Sequence, residues 1–454
     1  MKKRYPLVSM TLAWAALFCL LIPQVHADKA KDMGKDLPVS ARRLLTKVRD
    51  LMDRENYNGA IKLIRAAREE SDGNSRAGTG TAACNHPLVC LALGNCYLML
   101  PDYAHAESAY LAALERVPDF MDARVNLAKV YSDTSQFRKA SQAFLAVYEL
   151  SDPRQPDYLY YSAVMAMTDG RVKVAINHFD RLFATHPNKV VPQWKENYAN
   201  ALMTANHWKR AVPVVRDLAV HATGKERIRW QETLLQIFLQ SDDLKQALSH
   251  ATALSREACT VAKWWKALVH IRLGLGHYDR ALEDLIIYGF LSPLTLEEKK
   301  LFADLSLQLE IPDRAVRTYE TLLTGTRDKP MDAKGEKQMV LRLANAYRQL
   351  DKGDQALAVL NRFDPKACDP ELLLLKGDLL YEAKAFKSAD EAYRMAARAN
   401  CPRKGQAWLM AGYAAWQYND LKASRNAFEK AARFKRHRKD ALAAMAQLKR
   451  TTQM

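Results

Sequence analysis

The chain has 454 residues, more than the roughly 250–300 at which a single hydrophobic core stops growing, so it must divide into domains or extend as an array. Glycine and proline contribute only 17 residues each, glycine at about half its usual share of about 7 %, which points to helices and excludes collagen-like, low-complexity and disulfide-dense chains. The 68 Lys and Arg against 51 Asp and Glu give a net charge of +17, a balance suited to anionic partners such as nucleic acid, lipid headgroups or acidic proteins.

At the N-terminus Lys2, Lys3 and Arg4 precede an apolar run over residues 7–22, and Val25-His26-Ala27 places small residues where a signal peptidase reads. This is the layout of a cleavable signal peptide covering residues 1–27. An uncleaved anchor is the weaker reading, because the run is shorter than the roughly 20 apolar residues that span a bilayer. Cleavage takes away three cations and no acid and leaves +14. The signal looks bacterial, so the expectation is a periplasmic or envelope protein that meets no nucleic acid. Residues 28–40 read as a linker.

From residue 41 a pattern repeats. Leu93, Gly94 and Tyr97 are followed by Ala106, Tyr110, Ala113 and Pro118; then Leu127, Ala128 and Tyr131 are followed by Ala140, Phe144 and Val147. The small residue that opens the second half of each unit recurs as Ala60, Ala106, Ala140, Ala175, Ala211, Ala247, Ala281, Ala315, Ala356, Ala389 and Ser424. Two steps are long, and the excess falls in stretches read as loop insertions at 71–85 and 325–334. Small residues belong where two antiparallel helices cross closely, and aromatic and leucine residues fill the space between them. One such hairpin cannot bury its apolar face alone, so neighbours must stack. Asp102, Ser135, Asp279 and Asp354 are assigned to turns between the helices. Pro118, Pro187 and Pro365 mark exits from second helices. The period and its small–aromatic–small spacing resemble those of tetratricopeptide repeat (TPR) proteins. The resemblance implies an all-α chain, a right-handed α-solenoid (superhelix) of about eleven hairpins over residues 41–437, closed by a capping helix and tail at 438–454.

Signs of catalysis are few. No zinc-protease, Cys-x-x-Cys, phosphate-loop or nucleophile-elbow motif is present, and Gly78-Thr79-Gly80 and Gly274-Leu275-Gly276 read as turns rather than nucleotide loops. A non-catalytic chain without cofactor, metal or small-molecule substrate is expected. Cys84, Cys90 and Cys96 lie near His86, but Cys90 and Cys96 are six helical positions apart and face different ways, so they read as buried small residues rather than metal ligands. Cys368 and Cys401 stand one repeat apart in loops joining successive units, a candidate disulfide in an oxidising compartment.

In TPR proteins the first helix of each repeat lines a groove that holds a partner segment. The resemblance maps that groove onto Asn95, Asn126, Lys129, Tyr160, Tyr161, Asn197, Asn200, Gln236, Lys266, His270, Arg342, Asn345, Arg348, Tyr413 and Trp416. Asparagine amides can pair with both groups of an extended backbone. Asn95 and Asn126 match the two asparagines of the family's carboxylate clamp, whereas Leu91, Asp157 and Tyr161 stand where its cations would be, which argues against a grip on a C-terminal carboxylate. Arg433, Lys435, Arg436, Arg438 and Lys439 form a basic cluster read either as a contact with anionic lipid, lipopolysaccharide or an acidic protein, or as a solvated last helical turn. The overall layout, with Trp264-Trp265, Tyr288-Gly289-Phe290-Leu291 and the Trp408 repeat, resembles periplasmic TPR proteins associated with TonB–ExbB–ExbD energy transduction. That likeness implies an envelope scaffold for protein or peptide partners, accessory to TonB-dependent transport. The alternatives are an assembly factor for an outer-membrane, secretion or polysaccharide-export complex, and an enzyme with a divergent site across the groove.

Overall fold

A computed structural model describes residues 37–73, 84–325, 333–363, 369–399 and 402–451. The signal segment 1–27, Pro365 and both residues of the candidate disulfide, Cys368 and Cys401, lie outside the described residues, as do the centres of the two insertions. Where described, the chain is helical, in helices of 11–17 residues, and it divides into two compact units at Ser241 and Asp242.

The first unit contains α1 (Val39–Asp53), α2 (Tyr57–Gly73), α3 (Pro87–Met99), α4 (Tyr103–Arg116), α5 (Met121–Asp133), α6 (Phe137–Leu150), α7 (Pro156–Thr168), α8 (Val172–Thr185), α9 (Pro192–Thr204), α10 (Trp208–His221) and α11 (Gly224–Gln240). The second contains α12 (Leu244–Glu257), α13 (Ala262–Gly274), α14 (Tyr278–Leu291), α15 (Leu296–Gln308), α16 (Pro312–Gly325), α17 (Ala333–Gln349), α18 (Gly353–Phe363), α19 (Pro370–Glu382), α20 (Phe386–Arg398), α21 (Lys404–Gln417), α22 (Leu421–Ala431) and α23 (Arg438–Thr451). The first twenty-two helices follow the order of eleven repeats, odd-numbered helices being first and even-numbered ones second. The fold is an α-solenoid of TPR hairpins. Helix α2 runs on to Gly73, into the stretch expected to be loop.

One backbone device recurs at the hairpin turns. Glu55, Ser135, Gly170, Asn206, Gly276, Glu310, Asp351, Lys384 and Asn419 each adopt positive φ immediately after a first helix. The following N–H then reaches back five residues, as in Gln136 N–H to Tyr131 C=O (2.7 Å), Ile311 to Ser306 (2.8 Å) and Asp420 to Ala415 (3.0 Å). This Schellman closure satisfies carbonyls that the helix end would otherwise leave unpaired. Asp279 and Asp354, assigned to these turns from the sequence, instead occupy the first turns of α14 and α18, where a carboxylate suits the helix dipole. Asp102 does cap its helix, accepting from His105 N–H at 3.3 Å.

Only Gly170 and Gly276 among these turns carry the residue that adopts the left-handed region without a Cβ penalty of about 1–2 kcal/mol. Glu310 sits there at φ +59° and is exposed. Glu310→Gly is therefore expected to stabilise the second unit by up to about 1 kcal/mol, the unfolded-state entropy of glycine offsetting part of the relief. A thermal midpoint that falls would show that the turn gains nothing from relief at this position.

The core follows from a fixed separation. A small residue in each of several first helices lies sixteen positions before a buried aromatic in the second: Gly94 and Tyr110, Ala128 and Phe144, Ala163 and Phe179, Ala303 and Tyr319, Gly377 and Tyr393, Gly412 and Phe428, all buried. At the glycines the ring lies so close that a Cβ would stand 2.5 Å from Tyr110, 2.6 Å from Tyr393 and 2.5 Å from Phe428. These close crossings let neighbouring hairpins bury a continuous apolar row, such as the cluster of Leu373, Tyr393, Trp408, Phe428 and Ala444 that ends the second unit.

Helix α22 stops at Ala431, and residues 432–437 form a turn before α23. The basic cluster is thus no last helical turn: Arg433, Lys435 and Arg436 lie in the turn, and Arg438 and Lys439 open α23. The turn is held by Phe434 N–H to Ala431 C=O and His437 N–H to Phe434 C=O, both 3.0 Å, and it lies against the bare backbone of Gly405.

Candidate functional site

Every groove residue named from the sequence falls on an odd-numbered, first helix. In the first unit the structure joins several of them. Asn95 Oδ1 on α3 accepts from the Tyr110 hydroxyl and from Asn126 Nδ2 on α5, both at 2.8 Å. That pairing uses neither Asn95 Nδ2, a donor, nor Asn126 Oδ1, an acceptor, and both residues are half-buried. Lys129 follows one turn later on α5 and is half-buried.

Further along, Tyr160 stacks on Trp194 (ring centroids 5.1 Å apart) and packs against Tyr161 (5.6 Å). The buried amide of Asn197 donates to the Tyr160 hydroxyl at 2.8 Å. Burial raises the Tyr160 pKa far above its ordinary value, the Asn197 hydrogen bond working against the rise. The hydroxyl is therefore neutral throughout the physiological range. Asn197 and Tyr160, only 7 % and 5 % exposed, form the floor of this face, whereas Asn200 is half-buried and Gln236 on α11 is exposed.

The second unit differs in kind. Its three groove cations, Lys266, Arg342 and Arg348, are each engaged by a carboxylate one repeat away. Lys266 on α13 meets Glu298 on α15 at 2.7 Å, with the Tyr288 ring 5.6 Å from its ammonium. Arg342 on α17 pairs with Asp304 on α15, which also accepts from the Tyr319 hydroxyl. Arg348 meets Glu382 on α19 at 3.1 Å. Hydrogen bonding to Glu298 holds the Lys266 pKa above its ordinary value. Desolvation and then the Lys266 charge hold the neighbouring His270 imidazole below its ordinary value, so it is neutral at pH 7. Asn345 Nδ2 donates to the Leu341 carbonyl of its own helix at 2.9 Å. Tyr413 and Trp416 meet the Phe428 ring edge-on, centroids at 5.1 and 6.5 Å.

Sequence reasoning missed the carboxylates of this ladder, Glu298, Asp304 and Glu382, and the ring of Trp194. One signal was available: Asp304 and Asp378 stand fifteen residues before Tyr319 and Tyr393, as Asn95 does before Tyr110, and each accepts that tyrosine's hydroxyl. Cys90 and Cys96 are buried; burial lifts the Cys96 thiol to about 11. No three His, Cys, Asp or Glu side chains among the described residues are placed to hold a metal ion. No helix among them is long and apolar enough to cross a membrane. One surface depression is lined by Val212, Pro213, Arg216, Asp217, Val220 and His221 of α10 and another by residues of α4, both second helices.

Comparison with known proteins agrees with this architecture. The tetratricopeptide repeat family matches residues 125–190 and 405–437, and the tetratricopeptide repeat-like domain matches residues 313–408. The chain thus carries tetratricopeptide repeats in both units, and an array of this kind is a protein-binding scaffold. No curated protein matches the chain in sequence. Among solved structures it is similar to Naa15/Naa10 bound to HypK-THB (12 % identity, 86 % of this chain and 68 % of that chain, TM-score 0.41). It is also similar to yeast Tom70 (15 %, 91 % and 96 %, 0.30) and to a tetratricopeptide repeat protein from Parabacteroides merdae (13 %, 67 % and 99 %, 0.30).

Proposed function

We propose that the protein is an exported, non-catalytic scaffold that holds protein or peptide partners of the cell envelope on its first-helix faces, serving TonB-dependent transport. The observation that carries the binding reading is the Asn95–Asn126 pair, whose remaining amide donor and carbonyl acceptor match the C=O and N–H of an extended peptide. The export reading is supported by the signal-like residues 1–27, and the TonB reading by the layout described from the sequence. Phe290 of Tyr288-Gly289-Phe290-Leu291 is 86 % exposed, which suits contact with another protein better than a core role. The ion-paired face of the second unit reads as mainly structural, since partners there must compete with existing pairs.

The test is capture from cross-linked cells with the unaltered chain and with Asn126→Ala. TonB or ExbD should be recovered, and the substitution should weaken capture about tenfold through the lost backbone hydrogen bonds. Recovery of secretin, barrel or glycan-export components would select the assembly-factor alternative. Recovery of cytoplasmic proteins alone would sink the export reading.

A further inference from the structure

The second unit ends in a charged surface that the groove does not use. Seven of residues 432–451 are Lys or Arg, and Asp440 is the one carboxylate among them. Arg433, Lys435, Arg436, Arg438 and Lys439 are all exposed and form no ion pair with the described residues. This contrasts with the first-helix faces of the same unit, where Lys266, Arg342 and Arg348 each meet a carboxylate. Two of the five cations stand in the first turn of α23, where the helix dipole disfavours them, so local helix energetics do not account for their placement.

Two exposed apolar side chains stand among these cations in the chain. Phe434 lies between the turn cations and is 36 % exposed, and Leu442 on α23 is 48 % exposed. Leu442 is one helical turn from Arg438 and Lys439, hence beside them. The turn is not loose: its backbone hydrogen bonds and its seat on Gly405 fix where Phe434 points. Cations surrounding exposed Phe and Leu match the chemistry of a bilayer interface, where anionic headgroups meet the charges and the acyl boundary accepts the apolar tips. A nucleic-acid duplex would satisfy the charges but offer no apolar layer for Leu442.

We propose that the turn at residues 432–437 and the outer face of α23 dock on an anionic lipid bilayer. The proposal is independent of the groove reading. Its test is flotation of the full chain with phosphatidylcholine vesicles and with vesicles enriched in phosphatidylglycerol, at low and high salt. Lys2, Lys3 and Arg4 ahead of the apolar N-terminal run also favour anionic vesicles, so the loss in variants of residues 433–442, measured against the unaltered chain, is what reports the cationic face. Binding should favour the anionic vesicles, weaken with salt, and fall about fivefold for each cation removed in the triple variant Arg433→Gln, Lys435→Gln, Arg436→Gln. Phe434→Ser with Leu442→Ser should weaken it further, circular dichroism confirming that both variants fold. Equal binding to both vesicles, or unchanged binding of the triple variant, would overturn the proposal. So would a loss confined to the charge variant together with displacement by a short oligonucleotide, which would assign the patch to a soluble polyanion.

Discussion

Replacing Tyr393 by alanine is expected to cost the second unit about 3–5 kcal/mol, the range for deleting a fully buried aromatic together with the cavity it leaves. Tyr393 is 0 % exposed, lies across Gly377 and joins α19 and α20 to the apolar cluster that includes Trp408 and Phe428. Its hydroxyl donates to Asp378 at 2.7 Å, so Tyr393→Phe should cost only about 1 kcal/mol, the ring being kept and one hydrogen bond lost. The loss should appear first in α19–α22, because each repeat leans only on its neighbours. Denaturant midpoints give the size of the effect, and amide hydrogen exchange gives its location. Gly377→Ala should cost about 1–3 kcal/mol alone, since its Cβ would stand 2.6 Å from the ring, yet almost nothing when Tyr393 is already alanine. Additive costs would show that the glycine and the ring are not matched to each other.

The second large effect is linked to pH. Asp284 on α14 is 2 % exposed. Its Oδ1 meets Arg272 Nη1 at 3.0 Å, while its Oδ2 is buried without a hydrogen-bond partner. Burial raises the carboxyl pKa from 3.8 to about 6, the Arg272 charge opposing the rise. The folded chain therefore holds this proton more tightly than the unfolded one. The stability it contributes is complete below about pH 3.8 and is lost as the pH climbs through about 6, a span worth about 3 kcal/mol. Glu298 and Asp369, whose pKa values are depressed by Lys266 and Lys337 against the cost of desolvation, act in the opposite sense. Only the difference between the unaltered chain and Asp284→Asn isolates the one group. That difference should move in favour of the variant between pH 4 and 7, whatever pH-independent cost the lost pairing with Arg272 adds. Parallel stability profiles across this range would show that Asp284 is not desolvated in solution.

The repeat and the groove were legible to different degrees. Ala106, Ala140, Tyr110 and Phe144 declared the hairpins because each lies within one period of its counterpart, and local spacing fixes which residues share a helix face. A helix after the last repeat was also legible, and α23 occupies Arg438–Thr451. Charged partners were not: Asp304 and Arg342, or Glu298 and Lys266, are a full repeat apart, and no spacing rule says which carboxylate a neighbouring helix will present.

By itself the sequence determined an all-α array, its period, its small and aromatic crossing positions, and the helices that carry the candidate groove. Those features arise from interactions within a hairpin or between adjacent ones, so they repeat and can be read. The tertiary structure alone decided that Asn95 and Asn126 pair, and that Lys266, Arg342 and Arg348 are already engaged. It also decided that the basic cluster spans a turn and the start of α23 rather than the end of α22. Each of these depends on how successive helices are staggered and how closely they approach. Packing of whole elements sets that distance, as at Gly405 beneath Phe434, and the order of residues along the chain does not.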